Sequence, residues 1–521
     1  MDVLTCLSIV HMETVDNMDD LSPSNSQSIA AVLALLLLSG IYVFLNSPSY
    51  PVVNGKRPSE LRVIHAQKRF LSNARNLISS GLARWPAFNL VTEAGYRLVL
   101  DPKYAQEIRS HEALSFGKAT AQDFHAGIHG FEPFEQGTRS DEIVSDAVRM
   151  KLTQSLGNVT KPLSDETAIA LQKNWTNEAD WHIIPVKQTV LDIVAQLSSK
   201  VFLGDQICRN PDWLRITVAY TVDSFLAAEA LRMWPVFMRR LVAPFIPGVQ
   251  KIRAELEEAR RIIIPVLEKR KAEKQTAIAD GKTPARYNDA MEWMEQCAKG
   301  RPYDAAVSQL SLSLGAIHTT SDMLTQVLYD ICEHDGLVDE LRQEVLTVIA
   351  EEGWQKTTLY KLKLMDSVLK ESQRVKPIGI ATMHRLAEKT IKLSDGTVIP
   401  KHSNLIVSSQ RMWDETIYPS PDKFDPYRFL RLRETAGHET SAQFVSPSPE
   451  HMGFGFGKHS CPGRFFAANE IKIALCHILL KYDFRLTEEW KNPRPIGRGT
   501  GLTAEPRAMM EIRRRREEIQ L

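Results

Sequence analysis

His451-Met-Gly-Phe454-Gly455-Phe-Gly457-Lys-His459-Ser-Cys461-Pro-Gly463-Arg-Phe-Phe-Ala467 sets one cysteine in a glycine-rich loop that opens directly into an apolar-periodic stretch. Ala467, Ile471, Ala474, Leu475, Ile478 and Leu479 recur at helical spacing, so the loop leads into a helix with a buried face. A thiol just before a helix start meets free backbone N–H groups and the positive end of the helix dipole, both of which favour the thiolate. Gly455 and Gly457 permit a tight hairpin, Gly463 leaves room for a flat ligand against the backbone, and Phe454 can wall the sulfur off from water. Low pKa, restricted solvent and N–H donors aimed at sulfur are what a thiolate ligand of iron requires. A small buried hydrophobe is the ordinary role of an isolated cysteine. The spacing F-x-x-G-x-x-x-C-x-G argues against that role here.

Two further stretches belong with this loop. Glu371-Ser-Gln-Arg374 reads E-x-x-R on a helix, and Asp425-Pro-Tyr-Arg428-Phe429 precedes the cysteine loop. Glu371 and Arg374, at i and i+3, face the same way, and Arg428 can join them in a Glu–Arg–Arg network supporting the loop. Such a pair on a surface contributes about 0 to 1 kcal/mol; buried, loss of one member costs about 3 to 5 kcal/mol. These three residues are read as structural.

Taken together, the three segments resemble the haem loop, the E-x-x-R helix and the Pro-x-Arg-Phe segment of the cytochrome P-450 superfamily, in the family's order, from about residue 300 onward. In detail the chain is similar to fungal membrane-bound enzymes of secondary metabolism, among them ent-kaurene oxidases and indole-diterpene oxidases. The resemblance implies a mainly α fold with small β-sheets and haem b held by Cys461 as the axial metal ligand. Phe454, Gly463, His459, Arg149 and Arg385 would contact that haem, the last three as partners of its propionates, with His384 able to substitute for Arg385. The implied activity is a monooxygenase that hydroxylates, epoxidises or repeatedly oxidises a lipophilic small molecule, a terpenoid or alkaloid intermediate. No dinucleotide fingerprint is present, so NADPH acts only indirectly, through NADPH-cytochrome P-450 reductase with cytochrome b5 as a further partner. Their electrons would arrive behind Cys461, where Lys458, Arg464 and Lys472 lie.

Ser308 to Glu333 reads as one long helix with a polar interruption, Gly315-Ala-Ile-His318-Thr319-Thr320. Threonine hydroxyls can bond back to a carbonyl one turn earlier and bend a helix. The resemblance gives Thr319 a part in proton delivery. His318 stands where the family usually has an acid. It either relays protons through Thr319 or points away and bonds a neighbouring helix; the sequence leaves both open. Pocket-lining candidates, again by resemblance, are Phe124 and Ile128 on a loop read over 117–139, Gly315, Ile378, Ile380 and Leu502. Arg149 lies on a helix read over 140–157 that ends at Gly157.

Composition excludes several classes. The 521 residues carry a net charge of +1 and no basic stripe with interleaved aromatics, which gives no support for nucleic-acid binding. The six cysteines are scattered, with neither zinc nor disulfide spacing. Residues 1–27 read as an acidic, flexible lumenal tail (Glu13, Asp16, Asp19, Asp20), and 28–46 as a transmembrane anchor, uncharged over 29–45. Lys56, Arg57, Arg62, Lys68 and Arg69 follow, so the positive-inside rule leaves the catalytic domain (61–521) cytosolic, on the endoplasmic-reticulum membrane. A Pro-rich hinge spans 47–60. Residues 183–302 read as mostly helical, with Trp234-Pro-Val-Phe and Pro244-Phe-Ile-Pro-Gly resembling an apolar cap that touches the membrane. Arg513–Arg516 forms a small basic patch, read as a solvated tail or a membrane or reductase contact. Two other functions remain compatible with the loop: a haem-thiolate enzyme that rearranges or dehydrates its substrate without activating dioxygen, and a non-enzymatic haem sensor.

Overall fold

The computed structural model describes residues 50–521 except 61, 138, 140, 141 and 520, together with residues 30, 33 and 34. The chain divides into two units, 1–51 and 52–521. The tail expected over 1–27 lies outside the described residues, as does nearly all of the anchor expected over 28–46. Among the described residues no helix is long and apolar enough to cross a membrane.

The second unit is mainly helical with small sheets. Its central helix, Ala305–Glu333, starts where the Asp304 carboxylate accepts from the Val307 N–H at 3.0 Å. Ala306, Val307, Leu310, Leu312, Ile317, Leu324, Val327 and Ile331 bury most of its surface, the pattern of a helix inside a core. Around it pack the helices Val186–Leu203, Pro211–Arg232, Pro247–Ala279, Lys363–Val375 and Arg464–Lys481. Pro211 and Pro247 each occupy the first helical turn, where the missing N–H has no cost.

To one side lies a six-stranded sheet, ordered Val52–Val53, Ala87–Thr92, Gly95–Leu100, Asn404–Ser408, Ala381–Ala387, Leu114–Ser115. Ala87–Leu100 forms its antiparallel hairpin, and Gly95–Leu100 runs parallel to Asn404–Ser408. A separate two-stranded hairpin, Ile496–Arg498 with Gly501–Thr503, is tied to the rest by Gly499 N–H donating to Leu71 O at 2.8 Å. That carbonyl is available because Asn73 breaks the Ile64–Leu82 helix (φ −144°, ψ 26°).

Four local expectations need correction. The hinge is shorter than 47–60: β-branched Val52-Val53 joins the sheet, and Asn54 donates to Ala66 O (2.7 Å) and Val91 O (3.0 Å). Residues 117–139 are not one loop. Ser115 caps a helix over Phe116–Asp123 and a short one covers Glu132–Gln136, the glycines after 126 marking only the turn between. Gly157 ends nothing, because the buried stripe Leu156, Val159, Leu163 and Leu171 carries the helix Thr153–Trp175 through it. Gly157 is exposed there, where a helical glycine costs only about 1 kcal/mol. The basic C-terminal patch is not free either: Arg513 pairs with Asp483, Arg514 with Glu517, and Arg515 with Glu518.

Candidate active site

The cysteine loop is closed by its own backbone. Cys461 N–H donates to Phe454 O at 2.8 Å, making the hairpin that Gly455 (φ 69°) and Gly457 (φ 80°) permit. At Gly457 nothing larger fits, since a Cβ would lie 2.2 Å from Arg109 O. The helix Arg464–Lys481 begins just past the sulfur, and the N–H groups of Gly463 and Arg464 are directed at it. Burial pushes the Cys461 thiol up, while these N–H groups and the Arg464 charge pull it back toward the thiolate. Arg464 is fixed by donating to Cys461 O (2.8 Å) and Val445 O (3.0 Å). Phe454 stands edge-on to Phe444, ring centres 5.0 Å apart. A Cβ on Gly463 would meet only Val148, at 3.9 Å, so the side of the loop facing Val148 is clear for a flat group.

Behind the loop, Glu371 and Arg374 are both 0% exposed. Arg374 donates to Glu371 from Nε at 2.8 Å and from Nη2 at 2.9 Å, and Arg428 Nε reaches both carboxylate oxygens at 3.1 Å. The Asp425 N–H adds a further donor at 3.1 Å, and Arg374 continues to Met412 O and Pro421 O, each at 2.7 Å. Sequence reasoning missed Lys370, the neighbour of Glu371. It is buried, and its ammonium donates to the carbonyls of Ser441, Gln443 and Ser446 at 2.8 to 2.9 Å, fixing the segment that leads into the loop. No periodic signal distinguishes such a lysine from a solvated one.

A nest of basic side chains borders the loop. His459 is pushed down to about 4 by burial and by the charges of Arg385, Lys458 and Arg149. Arg149 lies in a π-helical turn, Ala147–Leu152, and donates to Lys458 O at 3.2 Å. Arg385 is buried; among the described residues its guanidinium donates only to its neighbour's carbonyl, His384 O at 2.7 Å, and lies over Phe116. Phe116 also faces His459, with ring centres 5.9 Å apart. Among the described residues none of these four basic side chains has a carboxylate partner. Lys458 and Phe116 were not among the expected contacts. His384 does not substitute for Arg385: its ring is held by Arg97 (2.8 Å) and lies 3.4 Å from Asp123.

The central helix shows one open place. Gly315 and Thr319, one turn apart, are exposed among buried and half-buried neighbours, and a Cβ on Gly315 would meet no atom within 4 Å. The Thr319 hydroxyl donates to Gly315 O at 2.9 Å and Ala316 O at 3.2 Å, although the helix runs unbroken. His318 turns the other way. Its Nε2 donates to Val218 O at 3.0 Å on the helix Pro211–Arg232, which takes that proton out of a relay with Thr319. Of the two roles the sequence left open for His318, the packing role fits this geometry and the relay does not.

The expected pocket residues divide. Ile378 and Leu502 are brought together by Leu502 N–H donating to Ile378 O at 2.9 Å, and Ile380 N–H donates to Thr500 O at 2.9 Å. The side chain of Ile380, however, is buried with Phe70, Ile78 and Phe88 in the core beside the sheet. Phe124 stacks on Phe134 (centres 4.1 Å, planes 4° apart) and meets the edge of Phe225. Ile128 is buried in the main core. Of the three cations expected behind Cys461, Lys472 is withdrawn, buried against Asp366 at 2.7 Å and Leu359 O at 2.9 Å. Arg464 is committed as above. Only Lys458 remains exposed.

The cytochrome P450 family model matches residues 101–511. The chain belongs to the cytochrome P450 family. It is 52% identical over 497 residues to cytochrome P450 monooxygenase adrA of Penicillium rubens, covering 94% of this chain and 97% of that one. It is 48% identical over 466 residues to cytochrome P450 monooxygenase trt6 of Aspergillus terreus, covering 89% and 94%. Among solved structures it resembles the retinoic acid bound cyanobacterial CYP120A1, with TM-score 0.64, 17% identity and coverage of 90% and 100%, a likeness of fold. This cytochrome P450 is therefore an oxidoreductase of the monooxygenase class, and its family implies a haem-thiolate iron. The residues present fit that group: a thiol under two N–H donors, a clear loop face, and a nest of Arg149, Arg385 and Lys458 with the neutral His459, without a carboxylate among the described residues and suited to two carboxylates.

Proposed function

We propose that this P450 binds haem b through the Cys461 thiolate and oxidises a lipophilic small molecule, a terpenoid or alkaloid intermediate of fungal secondary metabolism. The observation that carries the haem assignment is the nest of Arg149, Arg385, Lys458 and His459, which lacks a carboxylate and lies beside a thiol met by backbone N–H groups. When bound, the haem supplies dioxygen activation, with the thiolate favouring O–O cleavage. The chain's own residues orient and exclude. Arg385 and Arg149 take the propionates, Phe454 shields the sulfur, and Glu371, Arg374 and Arg428 hold the loop. Thr319 presents a hydroxyl at the open turn, and Gly315 leaves room beside it for substrate. Electrons come from NADPH through a reductase. The test is metabolite profiling of a deletion strain alongside the purified enzyme with reductase. The expected result is accumulation of a lipophilic precursor lighter than the lost product by its added oxygen, with NADPH and dioxygen consumed together. Product formed without either would identify a rearranging enzyme instead.

The same reading places the protein on the endoplasmic-reticulum membrane with its catalytic unit in the cytosol. Support comes from Met233, Val236, Phe237, Leu241 and Phe245, which are 71 to 80% exposed on the segment joining two long helices. Apolar surface of this extent marks an interaction site. Truncation of residues 1–46 should leave protein that still sediments with vesicles. Adding Val236→Ser, Phe237→Ser, Leu241→Ser and Phe245→Ser should release it, each change removing about 1 kcal/mol or more of apolar burial. Unchanged sedimentation would remove this segment from the membrane. Orientation has its own check. Asn158 and Asn174 begin N-x-T sequons within the helix Thr153–Trp175 and should carry no glycan in cells. Glycan at either site would place the catalytic unit in the lumen.

A further inference from the structure

The helix Phe116–Asp123 joins two basic clusters. At its first residue, Phe116 lies beneath Arg385 and faces His459 in the nest beside the cysteine loop. Eight helical residues span about 12 Å, which sets Asp123 that far from the nest. Phe124 follows, with Phe225 of the helix Pro211–Arg232 edge-on to it, ring centres 4.8 Å apart. An apolar chain starting near the nest thus passes aromatic rings before it reaches the far end of this helix.

Three arginines converge there. Arg232, the last residue of its helix, donates from Nη2 to Asp123 O at 3.0 Å, while its Nε is buried and has no hydrogen-bond partner. Arg239 is half-buried and donates from Nε to Trp234 O at 3.0 Å; burial and the charge of Arg232 pull it below the usual arginine value. Arg240 is exposed, and its Nη2 would lie 3.2 Å from a Cβ on Gly127. His125 donates to Ala228 O at 3.3 Å, and burial with the charges of Arg239 and Arg232 pushes it down to about 4, so it adds no charge near neutral pH. The two acids at this end are taken elsewhere. Asp123 is bonded by Arg97 and lies 3.4 Å from His384, and Glu229 receives Arg498 at 2.9 and 3.0 Å. Among the described residues no carboxylate pairs with Arg232, Arg239 or Arg240. A buried guanidinium N–H without an acceptor costs free energy that an anion would recover, and the planar fork suits a carboxylate. Three like charges disfavour a protonated amine. A lipid phosphate would meet side chains that point outward; those are Phe237, Leu241 and Phe245, 71 to 80% exposed, whereas Arg232 and Arg239 turn toward Asp123 and His125.

We propose that Arg232 and Arg239, with Arg240 at the rim, bind a carboxylate at the remote end of the substrate, so that the lipophilic molecule this P450 oxidises is an acid. These arginines touch no reacting atom. They determine specificity by holding the acid end about 12 Å from the nest, which leaves the apolar end to face the haem. The inference deepens the reading above and rests on it for the haem.

The probes are ω-imidazolyl octanoic, decanoic and dodecanoic acids, whose imidazole ligates haem iron while the chain carries the carboxylate outward, each compared with its methyl ester. Full-length holoenzyme is titrated with each, and the Soret shift gives Kd. In wild type the preference for acid over ester should rise with chain length to about tenfold or more, the gain of a hydrogen bond between charged groups. Arg232→Gln and Arg239→Gln should each remove most of that preference and leave the ester's Kd unchanged. Equal affinity of acid and ester at every length, or a preference that survives both substitutions, overturns the proposal. Lipid has its own arm, sedimentation with phosphatidylcholine vesicles with and without phosphatidic acid. If the substitutions lower binding to the phosphatidic-acid vesicles while the acid preference stays, the arginines serve a lipid headgroup and the proposal fails. If Arg232→Gln weakens acid and ester alike, that residue only fastens the Asp123 turn, and the acid preference of Arg239→Gln decides. Absence of a Soret shift with every probe and with imidazole itself would instead strike the haem reading.

Discussion

Cys461→Ala is expected to abolish the red-shifted Soret band of the reduced carbon-monoxide complex and all oxygenated product. The band depends on thiolate ligation, and Cys461 is the cysteine whose sulfur meets two backbone N–H groups at a helix start. The other described cysteines, Cys208, Cys297, Cys332 and Cys476, are each raised by burial, Cys208 to about 11 and Cys332 to about 12. The fold itself should survive. The loop is held by backbone contacts that alanine retains, Cys461 N–H to Phe454 O and Arg464 to Cys461 O. The Glu371 network lies behind them, untouched. Losing one small side chain from a half-buried position costs about 1 kcal/mol, little against a typical 5 to 15 kcal/mol of stability. Far-UV circular dichroism and the melting temperature should therefore stay close to wild type while the spectrum and turnover vanish. Retention of the band by the variant would assign the iron to another ligand.

What was legible in the chain was local. The cysteine hairpin follows from glycines at positive φ, and Glu371 with Arg374 follows from i,i+3 spacing on a helix; both need only a few neighbouring residues. The helix Ala305–Glu333 was legible as one long, mostly apolar stretch despite the polar interruption at Gly315–Thr320. Failures occur where a partner from a distant segment decides. Lys472 looks solvated in sequence, yet Asp366 neutralises it and the Leu359 carbonyl satisfies it inside the core. His318 could point either way until the helix Pro211–Arg232 offers the Val218 carbonyl. Ile380 leaves the pocket because the core beside the sheet, with Phe70, Ile78 and Phe88 from distant segments, takes its side chain. The Phe116–Asp123 helix was hidden by Gly117, tolerated in its first turn, and by Gly127 beyond its end. The buried cluster in which Asp322 accepts from Lys187 and Lys376 had no sequence signature at all. Lys187, Asp322 and Lys376 are separated by 135 and 54 positions, and only the packing of three helices joins them.

Glu371→Ala should give protein with little or no haem and a sharply lowered melting temperature. The carboxylate receives two bonds from Arg374, two from Arg428 and one from the Asp425 N–H, using both oxygens. Removing it leaves the 0% exposed guanidinium of Arg374 and the nearly buried one of Arg428 facing each other without an anion. An unpaired buried charge of this kind costs about 3 to 5 kcal/mol, a large share of a domain's stability. The loss is also local. Arg374 and Arg428 carry the carbonyls of Met412, Pro421 and Pro419, so the segment before the cysteine loop loses its supports together. Glu371→Gln separates charge from shape. It keeps one acceptor oxygen but places an amide NH2 against guanidinium donors, so it should fall between wild type and alanine in haem content. Arg428→Lys should be milder than either, since a lysine can keep the ion pair while losing the planar fork. Haem per chain, read from the pyridine haemochrome, and the melting temperature rank the set. Normal haem content and stability in Glu371→Ala would mean that Arg374 and Arg428 find other anions, and that the network does not hold the loop.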